Sequence, residues 1–273
     1  MAEFQPQERV TSHFDSLAKP YFEWYKARNQ DGHSFRIRRT RCLEQLAKLP
    51  AGSTVLDVAC GPATFVEDLR KRDYKFIGLD IAPHMIELSK ELYGSDPDCT
   101  FLVANAEQIP LPNASVEGLA AMGLMEYLNN EDAVLKECLR VAKPGAIFTV
   151  TYPHRMSPAR IWDRLTHAIA KPILQIVRKG KSGPGVKHRE YDLQSTLSAL
   201  TSAGWQIDDV VFYNMKIALR PLDKILPALA CWISEQLERF GRTPILRRLG
   251  TGFIVTVSAP KQNGSSGTQN NGA

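Results

Sequence analysis

Residues 54 to 152 alternate short apolar runs with helical patterns, which predicts an α/β fold built on a doubly wound, mostly parallel sheet. The earliest runs are apolar almost throughout, as strands covered on both faces must be. Small residues follow the first run at once, where a buried strand has to turn tightly into a helix.

The elements follow in order. A helical pattern over 35–49 ends at Pro50-Ala51-Gly52. Strands are predicted at 54–58 (TVLDV), 75–79 (KFIGL), 100–104 (TFLVA), 116–122 and 146–152 (AIFTVTY). Helices are predicted between them at 64–71, 85–93 and 131–141, giving right-handed β-α-β units. Two later runs, 207–213 and 252–257, have no short crossover between them and predict an antiparallel pair at one edge. The total is seven strands, in one domain over 1–262. Within it, 1–50 forms an N-terminal helical cap, and 154–190 and 216–250 are helical lid insertions. The tail 263–273 (NGSSGTQNNGA) has no apolar anchor and is expected to be disordered.

Composition narrows the function classes. The 273 residues are 44% hydrophobic and 23% charged, which supplies a sizeable core. The longest clean apolar run, 225–233, is far below the roughly 20 residues of a membrane span. No signal-type segment opens the chain, so a cytoplasmic protein, soluble or peripheral at a membrane, is expected. Cys42, Cys60, Cys99, Cys138 and Cys231 are scattered with no C-x-x-C pair, and the six histidines are equally dispersed. Neither a disulfide framework nor a metal site is expected. The net charge of +5 is uneven: 154–190 carries +7, 216–250 carries +4, and the remainder is −6.

In open α/β sheets, ligands sit beyond the carboxyl ends of the strands, so each strand end is the place to look for chemistry. The first runs into Leu56-Asp57-Val58-Ala59-Cys60-Gly61-Pro62-Ala63-Thr64, whose small residues let a ligand approach the main chain. The second ends at Asp80, nineteen residues past Gly61 and well placed for a ribose hydroxyl pair. The third ends in Asn105-Ala106-Glu107. A dinucleotide fingerprint would need three glycines where Ala59, Gly61 and Thr64 stand, which weakens an oxidoreductase reading. Gly180-Lys181-Ser182 lacks the strand that must precede a P-loop.

These motifs, together with L-R-V-A-K-P-G-A at 139–146, resemble the class I S-adenosylmethionine-dependent methyltransferases, especially the small-molecule branch containing ubiquinone- and menaquinone-type enzymes. The resemblance implies a Rossmann-like sheet and S-adenosylmethionine as cofactor. It places Asp57, Ala59 and Gly61 at the methionine part, Asp80 at the ribose hydroxyls, and Asn105 and Ala106 beside the adenine. Ile81 and Met122 complete the cofactor-binding set, and Met125 or Glu126 follows the fourth strand near the transferring methyl. The chain departs from the family at Ala59 and Ala63, where glycine is frequent, and at Asn105, where aspartate is usual. Both alanines are small enough for the turn, and the Asn105 side-chain oxygen can still accept a hydrogen bond.

Methyl transfer would be in-line attack by a substrate oxygen, nitrogen or carbon, with positioning supplying most of the acceleration. For a hydroxyl nucleophile a general base helps. His154, directly after the fifth strand, is the first candidate, and Tyr127 the second, with His188 and Tyr191 behind them. Tyr21 and Tyr25 either close over the cofactor or pack in the core. The lids carry apolar residues at helical spacing: Ile161, Leu165, Ala168, Ile169, Ile173 and Ile176 around Pro172, then Leu222, Leu226, Leu229, Ile233, Leu237 and Phe240. They predict either helices packed on the sheet or a cover for a small, lipophilic substrate. Arg239, Arg242, Arg247 and Arg248 beside the second stripe would suit contact with an anionic membrane surface. No RNA-binding module interleaves aromatics with these charges, so no nucleic-acid partner is expected. Two alternatives stay open: a methyltransferase-like binding protein without turnover, and a Rossmann-type oxidoreductase. No motif encodes the acceptor atom or the oligomeric state.

Overall fold

The computed structural model describes residues 4–27, 29–166, 186–217 and 222–261. Seven strands form one sheet: β1 (Thr54–Val58), β2 (Lys75–Asp80), β3 (Cys99–Val103), β4 (Val116–Ala121), β5 (Ala142–Pro153), β6 (Gln206–Met215) and β7 (Gly250–Ser258). Their spatial order is β3-β2-β1-β4-β5-β7-β6. β1 pairs in parallel with β2 on one side and β4 on the other, so the strand order reverses between β1 and β4. That reversal opens a crevice at their carboxyl ends. The antiparallel pairing expected at one edge is present, and the reversed strand is β7, which runs between β5 and the outermost strand β6.

The period-two alternation of each strand sorts its side chains into two cores. Leu56, Val58, Leu119, Phe148 and Val150 face one layer, closed by Val134, Leu135 and Cys138 of α6 (Glu131–Val141). Val55, Phe76, Ala120 and Ile254 face the other, closed by α3 (Gln30–Leu46), α4 (Val66–Arg70) and α5 (Pro83–Tyr93). Burial on both faces is why β1, beyond its partly exposed first residue Thr54, carries no polar residue except Asp57. α6 begins where its sequence signals place it: Asn130 Oδ1 accepts from the Ala133 amide at 3.2 Å, and Glu131 and Asp132 fill the first turn. α3 begins five residues before the predicted pattern, because Asn29 caps it by accepting from Gly32 N. Two short helices precede it, α1 (Gln7–Asp15) and α2 (Ala18–Lys26).

The inserted segments differ from the predicted stripes. Leu165, on a helical stretch 158–166, is exposed rather than covered. Ala168, Ile169, Pro172, Ile173 and Ile176 lie outside the described residues, as does the tail 263–273. In the helix Pro227–Leu237, the inward residues are Ala230, Cys231 and Ser234, while Leu226 and Leu229 face solvent. The physical reason is polar: Gln30 Nε2 donates to Ser234 Oγ at 3.0 Å, and His33 Nε2 lies 3.2 Å from Glu238 Oε1. Those bonds turn the small, polar side of the helix toward α3, against its apolar pattern. Among the described residues, no helix is long and apolar enough to cross a membrane.

Candidate active site

The loop after β1 holds three residues in the left-handed region: Ala59 at φ 62°, Gly61 at φ 52° and Ala63 at φ 52°. Each bond to its surroundings fixes part of the turn. The Cys60 amide donates to Leu79 O of β2 at 3.0 Å. The Gly61 amide donates to Asp80 Oδ2 at 2.8 Å, and the Gly61 carbonyl accepts from Ser89 Oγ at 3.0 Å. Asp80 Oδ1 accepts from the Ala82 amide at 2.9 Å, so one carboxylate ties the glycine loop to the end of β2. Alanine in this backbone region costs roughly 1–2 kcal/mol, against 0.5–1 kcal/mol of chain entropy recovered relative to glycine. Replacing Ala59 with glycine is therefore expected to raise unfolding free energy by about 0.5–1 kcal/mol in urea titrations. A loss of stability would mean the Ala59 methyl packs favourably enough to outweigh the strain.

Two adjoining chambers lie beyond this loop. The first is lined by Ala104, Asn105, Ala106 and Glu107 after β3, and by Leu128 and Asn129. The second is lined by Gly61, Asp80, Met85, Met122 and Gly123. Ala59, Ile81, Leu124, Tyr127 and Val10 line both. The roof comes from α1 and α2, through Val10, Phe14, Tyr21 and Tyr25. Its near end is latched by Asn129, whose Oδ1 accepts from the amides of Phe4 and Gln5 while its Nδ2 donates to Gln5 O. The other end is held by Asp15, which accepts from the His84 amide at 2.8 Å.

Eight of the ten residues singled out from sequence stand around these chambers. Ala59, Gly61, Asp80, Ile81, Asn105, Ala106, Met122 and Tyr127 all line them. Asn105 Oδ1 also accepts from the Glu107 amide at 3.0 Å, which sets the turn after β3. His154 stands apart. It is buried against Phe212 and Phe253, and its Nδ1 donates to Gly250 O at 2.9 Å, latching β5 to β7. Desolvation lowers its pKa, keeping the ring neutral in that place. Tyr127 packs edge-on against Phe14, and burial pushes its phenol well above the usual range, so it stays protonated.

The tenth, Asp57, faces the α3 layer, is 1% exposed, lines neither chamber, and leaves Oδ1 without a hydrogen bond. Burial, and secondarily the charge of Asp80, push its carboxyl up to about 8 against the pull of Arg38. The folded state thus keeps a proton that the unfolded chain releases near pH 4. This contribution to stability is complete below about pH 4, declines as pH rises, and is lost above about pH 8. The neutral isostere Asp57→Asn escapes that decline. Its melting temperature relative to the parent is expected to climb between about pH 5 and pH 8, and parallel pH curves would contradict the assignment.

Sequence reasoning missed Arg38, Glu126 in its full burial, and the roof residues Gln7, Val10 and Phe14. Arg38 had a signal: it shares one helical face with Cys42 and Leu46, the buried face of α3. His33, Cys231 and Glu235 bring ligand atoms within 4.8 Å of one another behind α3, a grouping across two helices that spacing along the chain could not reveal. They line neither chamber.

The sequence matches the family described as a methyltransferase domain over residues 56–150. It is 32% identical over 125 residues to the 2-methyl-6-phytyl-1,4-hydroquinone methyltransferase of Synechocystis sp., covering 44% of this chain and 39% of that one. It is 24% identical to the ubiquinone biosynthesis O-methyltransferase of Xanthomonas axonopodis pv. citri, covering 73% and 82%. Over residues 56–150 the chain is similar to the class I S-adenosylmethionine-dependent methyltransferases. The match spans only about two fifths of the Synechocystis relative's length. The fold is also that of the [4+2]-cyclase SpnF, with a TM-score of 0.63 at 16% identity over 96% of this chain and 98% of that one.

These similarities imply S-adenosylmethionine as the cofactor. A Cβ added at Gly61 would point into the second chamber, with Met85 Sδ at 3.8 Å and Tyr21 Cε1 at 4.0 Å as its nearest neighbours. Only a glycine leaves that space to a ligand. Among the described residues, the roof is built from α1 and α2, and neither 154–190 nor 216–250 lines the chambers.

Proposed function

We propose that this protein transfers a methyl group from S-adenosylmethionine to a small, lipophilic acceptor. The observation that carries the reading is the cradle in which Gly61, Asp80 and Met85 face one another beneath an aromatic roof. Ala59 and Gly61 would hold the methionine part, Asp80 with Ile81 the ribose, and Asn105 with Ala106 the adenine, while Met122 borders the methyl. When bound, the cofactor supplies an activated methyl on a sulfonium. The chain's own task is to orient the two reactants and exclude water. Asp80 keeps acceptor capacity beyond its two amide bonds, because a carboxylate offers about four lone-pair sites.

A lipophilic acceptor is supported by the apolar lining of Val10, Phe14, Leu124 and Leu128. Exposed Ile225, Leu226, Leu229 and Trp232 on and before the helix Pro227–Leu237 suit contact with a membrane surface that such an acceptor would occupy. The experiment is incubation with isotope-labelled S-adenosylmethionine and a lipid extract, followed by mass spectrometry. A lipophilic product carrying one labelled methyl is expected. Cofactor binding without any labelled product from lipid or aqueous extracts would instead favour a binding protein on the same fold.

A further inference from the structure

Where the helix Pro227–Leu237 packs on α3, outside both chambers, a histidine, a cysteine and a glutamate converge. Cys231 and Glu235 stand four residues apart, so helical spacing sets them on one face. Their side chains meet, with Sγ 3.5 Å from Glu235 Oε1. His33 reaches them from the first turn of α3, its Nδ1 3.9 Å from the same Glu235 oxygen. One ligand atom from each of the three residues lies within 4.8 Å of the other two.

The surroundings of His33 assign its two ring nitrogens. Nε2 lies 3.2 Å from Glu238 Oε1, which also accepts from the Met215 amide at 2.9 Å. A carboxylate only accepts, so Nε2 carries the proton and Nδ1 keeps its lone pair. Three electron-rich atoms then face one another beside the buried Cys231 and His33, an arrangement that calls for a cation between them. A second proton on the ring would not answer it, because 3.9 Å is too long for a hydrogen bond from Nδ1 to Glu235. A metal ion suits the spacing. Tetrahedral zinc, with bonds of roughly 2.0–2.3 Å, sets such ligand atoms roughly 3.4–3.7 Å apart. The Sγ–Oε1 distance is already in that range, and Nδ1 has about half an ångström to close. An imidazole that offers one nitrogen to a metal while a carboxylate holds its other N–H is the common outer arrangement of these sites.

Charge and access agree with the spacing. A thiolate and a carboxylate balance a doubly charged ion, and sulfur with nitrogen selects zinc over magnesium or calcium. The neighbouring cations are turned to other partners: Arg36 Nη1 donates to the Tyr25 and Ala27 carbonyls, and Lys26 pairs with Glu23. Cys231 and Glu235 line a surface cleft with Ala228 and Trp232, which gives an ion its way in and a water the fourth position. We propose that His33, Cys231 and Glu235 bind a zinc ion that clasps the helix Pro227–Leu237 to α3, with Glu238 orienting the imidazole. The thiol proton passes to solvent as the zinc–sulfur bond forms, and nothing is oxidised or reduced. The site is separate from the chambers and does not depend on the methyl-transfer reading.

The test is metal binding, read without any turnover. The full chain, stripped with a chelator and kept reduced, is titrated with zinc by calorimetry and with cobalt(II) by absorption. One zinc per chain is expected, and cobalt should give thiolate charge-transfer absorption with the strong visible bands of a four-coordinate ion. Cys231→Ser should remove the charge-transfer absorption and weaken zinc by more than about a hundredfold, and Glu235→Gln by at least about tenfold. Glu238→Gln leaves all three ligands in place and should cost about tenfold. Zinc should raise the melting temperature of the parent and not that of Cys231→Ser, since only a bound ion favours the folded state. Cys231→Ser is near-isosteric and the Glu235 side chain is half exposed, so these two carry the test if Glu238→Gln does not fold. No zinc uptake by the parent, cobalt uptake without thiolate absorption, or uptake unchanged in Cys231→Ser and Glu235→Gln would each overturn the proposal.

Discussion

Asp80→Ala is expected to weaken S-adenosylmethionine binding by roughly 1.5–3 kcal/mol, about tenfold to a hundredfold. The loss has two sources. One is the acceptor for the ribose hydroxyls, a hydrogen bond to a charged group. The other is the tether to the Gly61 and Ala82 amides at 2.8 and 2.9 Å, which holds the loop in its ligand-ready shape. Asp80→Asn separates them. It keeps one oxygen as an acceptor but turns an NH₂ group toward the other amide, so an intermediate loss is expected. Calorimetry, with thermal melts to confirm folding, decides the matter. Unchanged affinity in a folded Asp80→Ala variant would remove this carboxylate from the site.

Gly61→Val is expected to abolish cofactor binding while leaving the sheet folded. The protein itself has room for the added carbon, since the nearest atoms are at ordinary contact distances of 3.8 and 4.0 Å. The backbone at φ 52° is the harder constraint: a side chain there costs about 1–2 kcal/mol, and more when branched at Cβ. Gly61→Ala should therefore fold nearly as well as the parent and bind more weakly, because its methyl enters the chamber. The valine adds two more carbons to the same space and should bind nothing measurable. Normal binding by a folded valine variant would mean that the cofactor does not run along this loop.

The parts of this architecture that were legible are those where local pattern and tertiary packing agree. β1 reads as an apolar run broken only by Asp57 after Thr54 because both its faces are buried, and α6 announces itself through Asn130, Glu131 and Asp132. Asp80 was legible because a strand end fixes where its carboxylate points. The illegible parts are those where tertiary contacts overrule local pattern. α1 is mostly polar and has no buried residue, so nothing in QERVTSHFD signals that Val10 and Phe14 roof a chamber. The helix Pro227–Leu237 turns its polar side inward because Gln30 hydrogen-bonds Ser234 within it and His33 holds Glu238 just past its end, which an apolar stripe does not register. His154 follows β5 as expected, yet its ring is drawn to Gly250 O and two phenylalanines rather than to the chambers. Arg38 was hidden among the arginines of FRIRRTR, where only its place on the Cys42 and Leu46 face sets it apart.

Equilibrium titration of the parent chain with S-adenosylmethionine and, separately, with NAD tests the central claim most directly. A small-residue loop with glycine only at position 61, clamped by Asp80, should bind S-adenosylmethionine at a single saturable site and give no heat with NAD. Binding of NAD in its place, or no binding of S-adenosylmethionine by the folded chain, would contradict the account.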